Sequence, residues 1–316
     1  MLEKSKLLIT GASGFIGGHL CRYASSEGWP VRGVVRDEAV ENTVLVPDVS
    51  RNTDWSSALK GCGMVVHLAA RAHIMSDTAK EPLEELRKVN TYGTLNLAQQ
   101  AADSGVKRFI YLSSIKVNGE SSPLDSPFTP DDVFMPTDPY ALSKYEAEKG
   151  LLRIAKKTKM EVVIIRPPLV YGPGVRANFL TMIKWLNKRV PLPLGAIHNR
   201  RSLVAVDNLV SLITVCIEHP AAANQIFLVS DDEDLSTSQL LNRILQSLSK
   251  RTWLLPMNQK VLEFCLGVIG KKDLAQRLCG SLQVDISKTK NLLNWSPLVS
   301  IQDELNKTVK HFIKTL

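Results

Sequence analysis

Short, almost unbroken runs of apolar residues recur through the first half of the chain, separated by longer stretches with helical spacing. Such runs cover residues 6–9, 63–70, 109–112 and 162–165. Apolar character without alternation is typical of parallel strands that are covered on both faces. Between two of these runs, residues 83–102 place apolar side chains at the spacing of an amphipathic helix. The pattern predicts an α/β fold with a doubly wound parallel sheet.

A glycine-rich turn follows the first apolar run. Gly11 permits the tight turn, Gly14 lets the backbone approach a pyrophosphate, and Gly17 lets the next helix pack close to the strand. The helix N-terminus then faces the anion. Since the turn opens a βαβ unit, it predicts a dinucleotide site. The expected cofactor contacts in this turn are Gly11, Ser13, Gly14, Phe15, Ile16 and Gly17.

The end of the second strand predicts which dinucleotide is bound. A carboxylate at this position accepts the ribose 2′-hydroxyl of NAD, whereas an arginine pairs with the 2′-phosphate of NADP. Arg36 occupies the position and favours NADP, but Asp37 follows it directly. A shift of one residue would reverse the assignment, and an ordinary exposed arginine at a strand end is the simpler interpretation. The cofactor is therefore NAD or NADP, with Arg36 favouring NADP.

A second helix start carries candidate catalytic groups. Asp138 can cap this helix and Pro139 suits its first turn, so Tyr140 and Lys144 should lie one turn apart on the same face. A free tyrosine, with a pKa of about 10, is a weak base near neutrality. A lysine ammonium one turn away, together with the positive ring of oxidised nicotinamide, favours the phenolate. Tyr140 is the predicted acid or base, and Lys144 tunes it and can bond the nicotinamide ribose; both are therefore also expected cofactor contacts.

The apolar run at residues 109–112 closes on two hydroxyl residues, at the edge of the sheet where open α/β folds place their chemistry. Ser114, or as the less favoured choice Ser113, is predicted to hydrogen-bond the substrate oxygen. Moving a hydride to or from an alcohol carbon also moves a proton at its oxygen, which is the work assigned to Tyr140. The loop 120–137 that follows is long enough to be a lid.

Composition and charge narrow the function classes. The chain has 316 residues, 44% hydrophobic and 22% charged, which suits one large domain with a smaller partner. The net charge of +8 comes from basic residues that stand singly or in pairs, so an anionic small ligand is favoured over nucleic acid. Five cysteines form no metal-ligand spacing or disulfide framework, and no metal is expected. We expect a soluble cytoplasmic protein without membrane insertion.

The glycine turn, Ser114, Tyr140 and Lys144 together resemble the extended short-chain dehydrogenase/reductases of the nucleotide-sugar epimerase/dehydratase group. The resemblance covers nearly the whole chain and is strongest through Gly172. It implies a Rossmann sheet, NAD or NADP as cofactor, a UDP-sugar substrate and a homodimer. Additional cofactor contacts that it implies are Asp48 and Val49 beside the adenine, the turn Leu68, Ala69 and Ala70, and Pro167.

The resemblance also implies contacts for the substrate and support for the site. Asn178 matches a segment that meets uracil, and Arg201 and Arg277 are candidate diphosphate partners because a guanidinium suits phosphate oxygens. Asn90 and Thr94 match a segment that supports the site from behind, or serve only helix packing. Three further groups are interpreted as packed, structural or solvent-facing rather than as ligands: His67, Arg166 and the pair His198 and Arg200.

Two domains are expected from this resemblance. Residues 1–171, with a return at about 202–230, would form the cofactor domain. Residues 172–201 and 231–316 would form a smaller mixed domain that binds the nucleotide sugar.

Ser114, Tyr140 and Lys144 do not distinguish among 4-epimerases, 4,6-dehydratases and 4-keto reductases, because the same three residue types serve all of them. Ser114 is followed by Ile115 and Lys116 rather than by an Asp-Glu pair, which argues against a dehydratase. A UDP-sugar 4-epimerase is placed first. An NADPH-dependent 4-keto reductase of a UDP-4-keto-6-deoxy-N-acetylhexosamine, in polysaccharide synthesis, is the alternative that Arg36 favours. A catalytically silent cofactor sensor is remote, because such proteins usually lose Tyr140 or Lys144.

Overall fold

The computed structural model describes residues 4–38, 40–71, 81–132, 134–250 and 253–316. Its strands are β1 (Lys6–Thr10), β2 (Val31–Val35), β3 (Thr43–Leu45), β4 (Cys62–His67), β5 (Arg108–Leu112), β6 (Glu161–Arg166), β7 (Leu169–Tyr171), β8 (Arg201–Ala205), β9 (Ile226–Leu228) and β10 (Asp234–Leu235). Its α-helices are α1 (Phe15–Ser26), α2 (Ser56–Leu59), α3 (Pro82–Leu86), α4 (Thr94–Asp103), α5 (Pro139–Lys157), α6 (Ala177–Asn187), α7 (Val206–Glu218), α8 (Thr237–Leu248), α9 (Gln259–Val268), α10 (Lys272–Cys279), α11 (Ser287–Leu293) and α12 (Ile301–Lys314).

Within this described part, seven strands form one parallel sheet in the order β3-β2-β1-β4-β5-β6-β9. The order reverses between β1 and β4, which is the switch point where open α/β sheets bind their ligands. The predicted doubly wound sheet and its strand assignments are confirmed.

Both faces of the large sheet are covered, which explains the apolar runs. Leu7 and Ile9 point into one core with α1 and α7, whereas Leu8 points into a second core with α4 and α5. All three side chains are fully buried. Because alternate residues of a strand face opposite sides, a strand buried on both sides has no polar positions to alternate with.

A smaller sheet and a third core lie in the later part of the chain. β7, β8 and β10 pair in the order β10-β8-β7, with β8 and β10 antiparallel. The third core joins these strands to α6, α8 and α12. The fold class predicted for this part, a smaller mixed unit beside the Rossmann sheet, is therefore confirmed.

The predicted helix over 83–102 is continuous, but its middle departs from α geometry. Between α3 and α4, residues Arg87–Gly93 form a π-helical stretch. A Cβ at Gly93 would lie 2.8 Å from the Cγ1 of Val49, so the wider turn brings the backbone close to the segment after β3. π-helical turns are rare and are frequently found at functional sites.

Candidate active site

The glycine turn brings backbone into contact where side chains would not fit. Gly11 has a φ of +70°, and a Cβ there would lie 3.0 Å from the backbone nitrogen of Ala69. A Cβ at Gly17 would lie 2.0 Å from the carbonyl oxygen of Gly11. Gly14 is the residue before the first turn of α1, and having no side chain it leaves the first N–H groups of the helix uncovered. This cradle fits the pyrophosphate of a dinucleotide.

The turn after β4 is organised by a buried threonine and a buried histidine. Thr10 Oγ1 accepts hydrogen bonds from the N–H groups of Leu68 and Ala69, at 3.1 and 3.2 Å. Its hydroxyl lies 2.7 Å from His67 Nδ1, and His67 Nε2 lies 2.9 Å from Thr94 Oγ1. Because Thr10 already accepts two N–H groups, its hydroxyl donates to Nδ1, and His67 carries its proton on Nε2.

His67 is a packed, neutral side chain. Burial is the main reason that its pKa falls to about 3, and the charge of Lys144 lowers it further. The interpretation of His67 as packed and of Thr94 as support is therefore consistent with its environment. Thr94 acts through His67 and Thr10 on the turn that contains Leu68, Ala69 and the exposed Ala70.

The other predicted cofactor contacts lie around the same edge of the sheet. Arg36 follows β2 directly and is exposed, as is Asp37, so both side chains remain available to a ribose. Asp48 is exposed and Val49 is buried against the π-helical stretch. Ser13 is exposed, Phe15 and Ile16 are half-buried, and buried Pro167 accepts a hydrogen bond from Ile115 N at 3.0 Å.

Helix α5, which carries the candidate catalytic residues, begins as predicted. The Asp138 side chain accepts a hydrogen bond from Ala141 N at 2.8 Å, and Pro139 is the first helical residue. Lys144 is buried, and its Nζ donates to the carbonyl oxygen of Leu112 at 2.8 Å. The same Nζ lies 4.3 Å from the ring centroid of Tyr111. Lys144 is thus attached to the last residue of β5, at the carboxyl edge of the sheet.

Burial is the main influence on the pKa values of Tyr140 and Lys144. Burial and the charge of Asp138 raise the pKa of Tyr140 to about 12, and the lowering expected from the oxidised nicotinamide ring stays a prediction. Burial lowers the pKa of Lys144 to about 7, although the charge of Glu148 opposes the change. Burial disfavours the charged form of each group. A phenolate and an ammonium one turn apart would stabilise one another.

The hydroxyl groups of the two candidate serines have different hydrogen-bond partners. Ser113 is buried, and its hydroxyl donates to a carboxylate oxygen of Glu148. Ser114 is half-buried, and its Oγ accepts a hydrogen bond of 3.3 Å from Lys116 N. Because a hydroxyl that accepts from the backbone keeps its own proton to donate, Ser114 can still bond a substrate oxygen. The preference for Ser114 over Ser113 agrees with this geometry.

A buried ion pair between Arg166 and Glu148, which the sequence did not lead us to expect, lies next to Ser113. Arg166 Nη2 lies 2.6 Å from Glu148 Oε2, and Arg166 Nη1 donates to Asn118 Oδ1 at 3.0 Å and to Pro130 O at 3.2 Å. Of the two interpretations of Arg166, structural or solvent-facing, its burial and its ion pair support the structural one. The signal was present at Glu148, since Tyr140, Lys144 and Glu148 are spaced by four residues each and share a helix face.

The expected lid is tied down over much of its described length. Asn118 Nδ2 donates to Thr129 O at 2.8 Å and to Asp132 O at 3.1 Å. The backbone N–H groups of Ser122 and Phe128 donate to carbonyls of residues 281 and 283. These contacts hold the loop to the segment after α10 in this structure; residue 133 lies outside the described residues.

The π-helical stretch supports α5 from behind. Asn90 Nδ2 donates to Ser143 Oγ at 3.0 Å, and Thr91 Oγ1 donates to Ser143 O at 2.8 Å. Ser143 Oγ in turn donates to the carbonyl oxygen of Tyr140 at 2.7 Å. Asn90 also accepts a hydrogen bond from Arg71 N at 2.8 Å. Asn90 therefore links the turn after β4 to the helical turn that carries Tyr140, a stronger role than helix packing.

The predicted substrate contacts are less closely assembled. Arg201 begins β8, is half-buried, and its Nη1 donates to Gly280 O at 2.9 Å. Gly280 follows α10, the helix that carries the exposed Arg277, so the two arginines lie on neighbouring segments. Asn178 is exposed in the first turn of α6. His198 and Arg200 are exposed, and Arg200 pairs with Asp125.

Two features are absent from the described residues. No three His, Cys, Asp or Glu side chains in the described ranges come together as a metal site requires. In the same ranges, no helix has both the length and the apolar character that crossing a bilayer demands.

Comparisons with known proteins place the chain among enzymes of nucleotide sugars and related carbonyl chemistry. The sequence pattern of the NAD dependent epimerase/dehydratase family matches residues 7–230. A UDP-glucose 4-epimerase from Vibrio cholerae is 47% identical over 313 residues, covering 98% of this chain and 95% of that protein. A dihydroflavonol 4-reductase from Hordeum vulgare is 30% identical over 276 residues, covering 77% of this chain and 75% of that one.

A solved structure shows the same fold. The UDP-glucuronic acid 4-epimerase from Bacillus cereus, crystallised with NAD, matches with a TM-score of 0.79 and 22% identity. The match covers 98% of this chain and 99% of that one.

Proposed function

Since the chain belongs to the NAD dependent epimerase/dehydratase family, we propose that it is a UDP-sugar 4-epimerase acting at C4 of a UDP-hexose or UDP-N-acetylhexosamine. The similarity to the Vibrio cholerae UDP-glucose 4-epimerase over nearly the full length of both proteins supports this assignment. The observation that carries it is the arrangement on α5. Tyr140 and Lys144 share one face of the helix, and Lys144 is bonded to the strand end beside Ser114.

Each side chain has one proposed role. Bound dinucleotide supplies the hydride acceptor and, when oxidised, a positive ring. Ser114 donates a hydrogen bond to the oxygen on C4 and holds it, and Tyr140 takes the proton from that oxygen and later returns it. Lys144, held by Leu112, stabilises the phenolate form of Tyr140 by its charge.

The remaining predicted residues have proposed roles in binding the cofactor or the substrate. The glycine turn would hold the pyrophosphate, Asp48 and Val49 would border the adenine, and Pro167 with the turn 68–70 would border the nicotinamide half. Arg201 and Arg277 would bind the substrate diphosphate and Asn178 the uracil. In Arg201, only Nη1 is engaged with Gly280, so other N–H groups of the guanidinium can reach a phosphate.

A second candidate reaction rests on Arg36. Its exposed position after β2 suits the 2′-phosphate of NADP, and a 4-keto reductase must exchange a reduced cofactor in every turnover. The similarity to a dihydroflavonol 4-reductase shows that a relative of this family carries out a reduction. The alternative is therefore an NADPH-dependent reductase of a UDP-4-keto-6-deoxy-N-acetylhexosamine.

Incubation of purified protein with UDP-sugars, without added cofactor, distinguishes the two. We expect equilibration of the C4 epimers, because an epimerase regenerates its tightly held cofactor in each cycle. If product forms from a 4-keto sugar only when NADPH is added, and one equivalent of NADPH is consumed per product, the epimerase assignment is wrong and the reductase is correct.

The proposal also covers the domain organisation, the oligomeric state, the location and the biological role of the protein. Residues 1–171 with 202–230 would form the cofactor domain, and residues 172–201 with 231–316 the nucleotide-sugar domain. We further propose a homodimer, a cytoplasmic location, and a role in supplying sugars for polysaccharide synthesis. Light scattering that gives a monomer at micromolar concentration would contradict the homodimer.

A further inference from the structure

Helix α9 presents an apolar stripe to solvent. Val261, Phe264, Cys265, Val268 and the following residue Ile269 are all exposed, and their spacing of three and four residues places them along one side. Phe264 and Val268 are each 71% exposed, and Ile269 is 62% exposed. Single exposed apolar residues are common on protein surfaces, but a continuous row indicates a surface that is covered by something.

A neighbouring side of α9 holds the helix to the protein. Leu262 is buried in the third core, and Leu266 packs against the same core. The stripe is therefore not the face by which α9 packs on the core, because Leu262 and Leu266 form that face. This arrangement leaves the stripe directed away from the body of the protein.

Charges around the stripe are mainly positive. Lys260 precedes it and Lys271 and Lys272 follow it, and all three are exposed. Across residues 253–280, four basic residues (Lys260, Lys271, Lys272 and Arg277) outnumber two acidic ones (Glu263 and Asp273), which leaves +2. An apolar stripe bordered by lysines is the arrangement with which a helix lies in the interface of an anionic bilayer.

We propose that the stripe on α9 docks on the surface of a bilayer that contains anionic phospholipids. The apolar side chains would enter the boundary between headgroups and acyl chains, while Lys260, Lys271 and Lys272 remain among the headgroups. Exposed Trp253, which precedes α9, is of the residue type enriched at this boundary. The helix does not cross the bilayer, because its ten residues are about 15 Å long.

The dimensions and charges favour a bilayer over a second copy of the chain. A face about 15 Å long and one helix wide, or roughly 150–300 Å², is far below the ~800 Å² per partner of a stable protein interface. Two stripes in contact would also bring lysines of one copy toward lysines of the other. A fluid bilayer needs no shape complementarity and supplies the opposite charge.

Vesicle flotation tests the proposal. The full-length protein is mixed with phosphatidylcholine vesicles that contain phosphatidylglycerol, and with vesicles of phosphatidylcholine alone. We expect binding to the first that exceeds binding to the second by about a hundredfold, since each of the three lysines near an anionic surface adds about fivefold. The double variant Phe264→Glu with Val268→Glu should lose at least about tenfold in partitioning, because it places two carboxylates in the apolar layer.

A matched control adds the same charges elsewhere. Leu298→Glu with Ile313→Glu also replaces two exposed apolar residues, 65% and 51% exposed, and should bind vesicles nearly as the parent protein does. Circular dichroism and UDP-sugar turnover should be unchanged in both double variants, since α9 carries none of the proposed site residues. A second variant, Lys271→Glu with Lys272→Glu, removes the anionic preference without altering the stripe.

Three outcomes would overturn the proposal. These are no binding of the parent protein to phosphatidylglycerol vesicles, equal binding of the Phe264→Glu and Val268→Glu double variant, or equal binding to vesicles of either composition. Light scattering without lipid tests the alternative that the stripe contacts a second copy of the chain. If the parent protein self-associates and the double variant does not, while neither binds vesicles, the stripe is an interface between copies of this chain.

Discussion

Two buried cations lie at the carboxyl edge of the large sheet, and their surroundings differ. Arg166 is paired with the Glu148 carboxylate at 2.6 Å and also donates to Asn118 and Pro130. Lys144 is buried to the same degree, yet its ammonium nitrogen contacts a carbonyl oxygen and an aromatic ring. The pKa of Lys144 is lowered to about 7 as a result of burial.

This difference separates a structural charge from one that is available for chemistry. A guanidinium with a full carboxylate partner is locked in its charged form and holds the loop after β5 in place. An ammonium bound only by neutral groups can respond to a charge that forms on Tyr140. The following experiments test this contrast.

Tyr140→Phe should lower turnover by about a hundredfold or more while cofactor binding stays intact, because it removes the proton-transfer group and keeps the ring. Steady-state kinetics and fluorescence titration of the dinucleotide measure the two effects. The control is Tyr145→Phe, on the same helix, which should retain full turnover. Normal turnover in the Tyr140 variant would remove the proposed base.

Glu148→Gln should reduce the free energy of unfolding by about 3–5 kcal/mol, since it leaves the Arg166 guanidinium buried without a carboxylate. The double variant Glu148→Gln with Arg166→Met should lose less than Glu148→Gln alone, because the unpaired charge is gone. Urea unfolding of the three proteins measures this. An additive loss would show that the two side chains do not act as a pair.

Lys144→Met should lower turnover by about tenfold or more. It should also change how stability depends on pH. The pKa of Lys144 in the folded protein is about 7, below its usual 10.5, so the unfolded chain binds more protons between these values and stability rises with pH there. Urea unfolding at pH 7 and pH 9 should show this rise in the parent and in Lys149→Met, and a smaller rise in Lys144→Met.

Ser114→Ala should lower turnover by about tenfold to a hundredfold, because it removes a hydrogen bond to an oxygen that gains charge. Ser113→Ala should instead cost about 1–3 kcal/mol of unfolding free energy, with turnover within about threefold of the parent, since its hydroxyl serves Glu148. Kinetics and urea unfolding of both variants show which serine contacts the substrate. A reversed pattern would assign the substrate contact to Ser113.

Arg36→Ala should weaken binding of NADP by about tenfold and leave NAD nearly unchanged, since only NADP carries the 2′-phosphate. Calorimetric titration with both dinucleotides measures the difference, and Asp37→Ala serves as the neighbouring control. Equal effects on both cofactors would mean that Arg36 does not contact the phosphate. A larger loss of NAD in the Asp37 variant would identify Asp37 as the ribose partner.

Much of the fold and of the catalytic helix could be predicted because the signals are local. The runs that became β1, β4, β5 and β6 are apolar throughout, and Asp138 with Pro139 marks the start of α5. The π-helical turn at Arg87–Gly93 could not be predicted. It depends on the contact of Gly93 with Val49 and on hydrogen bonds to Ser143, which join segments distant along the chain.

Local signals in the chain were enough to predict the order of the elements, the glycine cradle and the placement of Tyr140 and Lys144 on one helix face, because turn chemistry and helical spacing act over a few residues. Packing between distant segments decided which serine remains available and brought Arg166 to Glu148. It also decided the direction in which the pKa values of Tyr140 and Lys144 move. Burial and long-range partners determine desolvation and charge, and these are set by packing between segments.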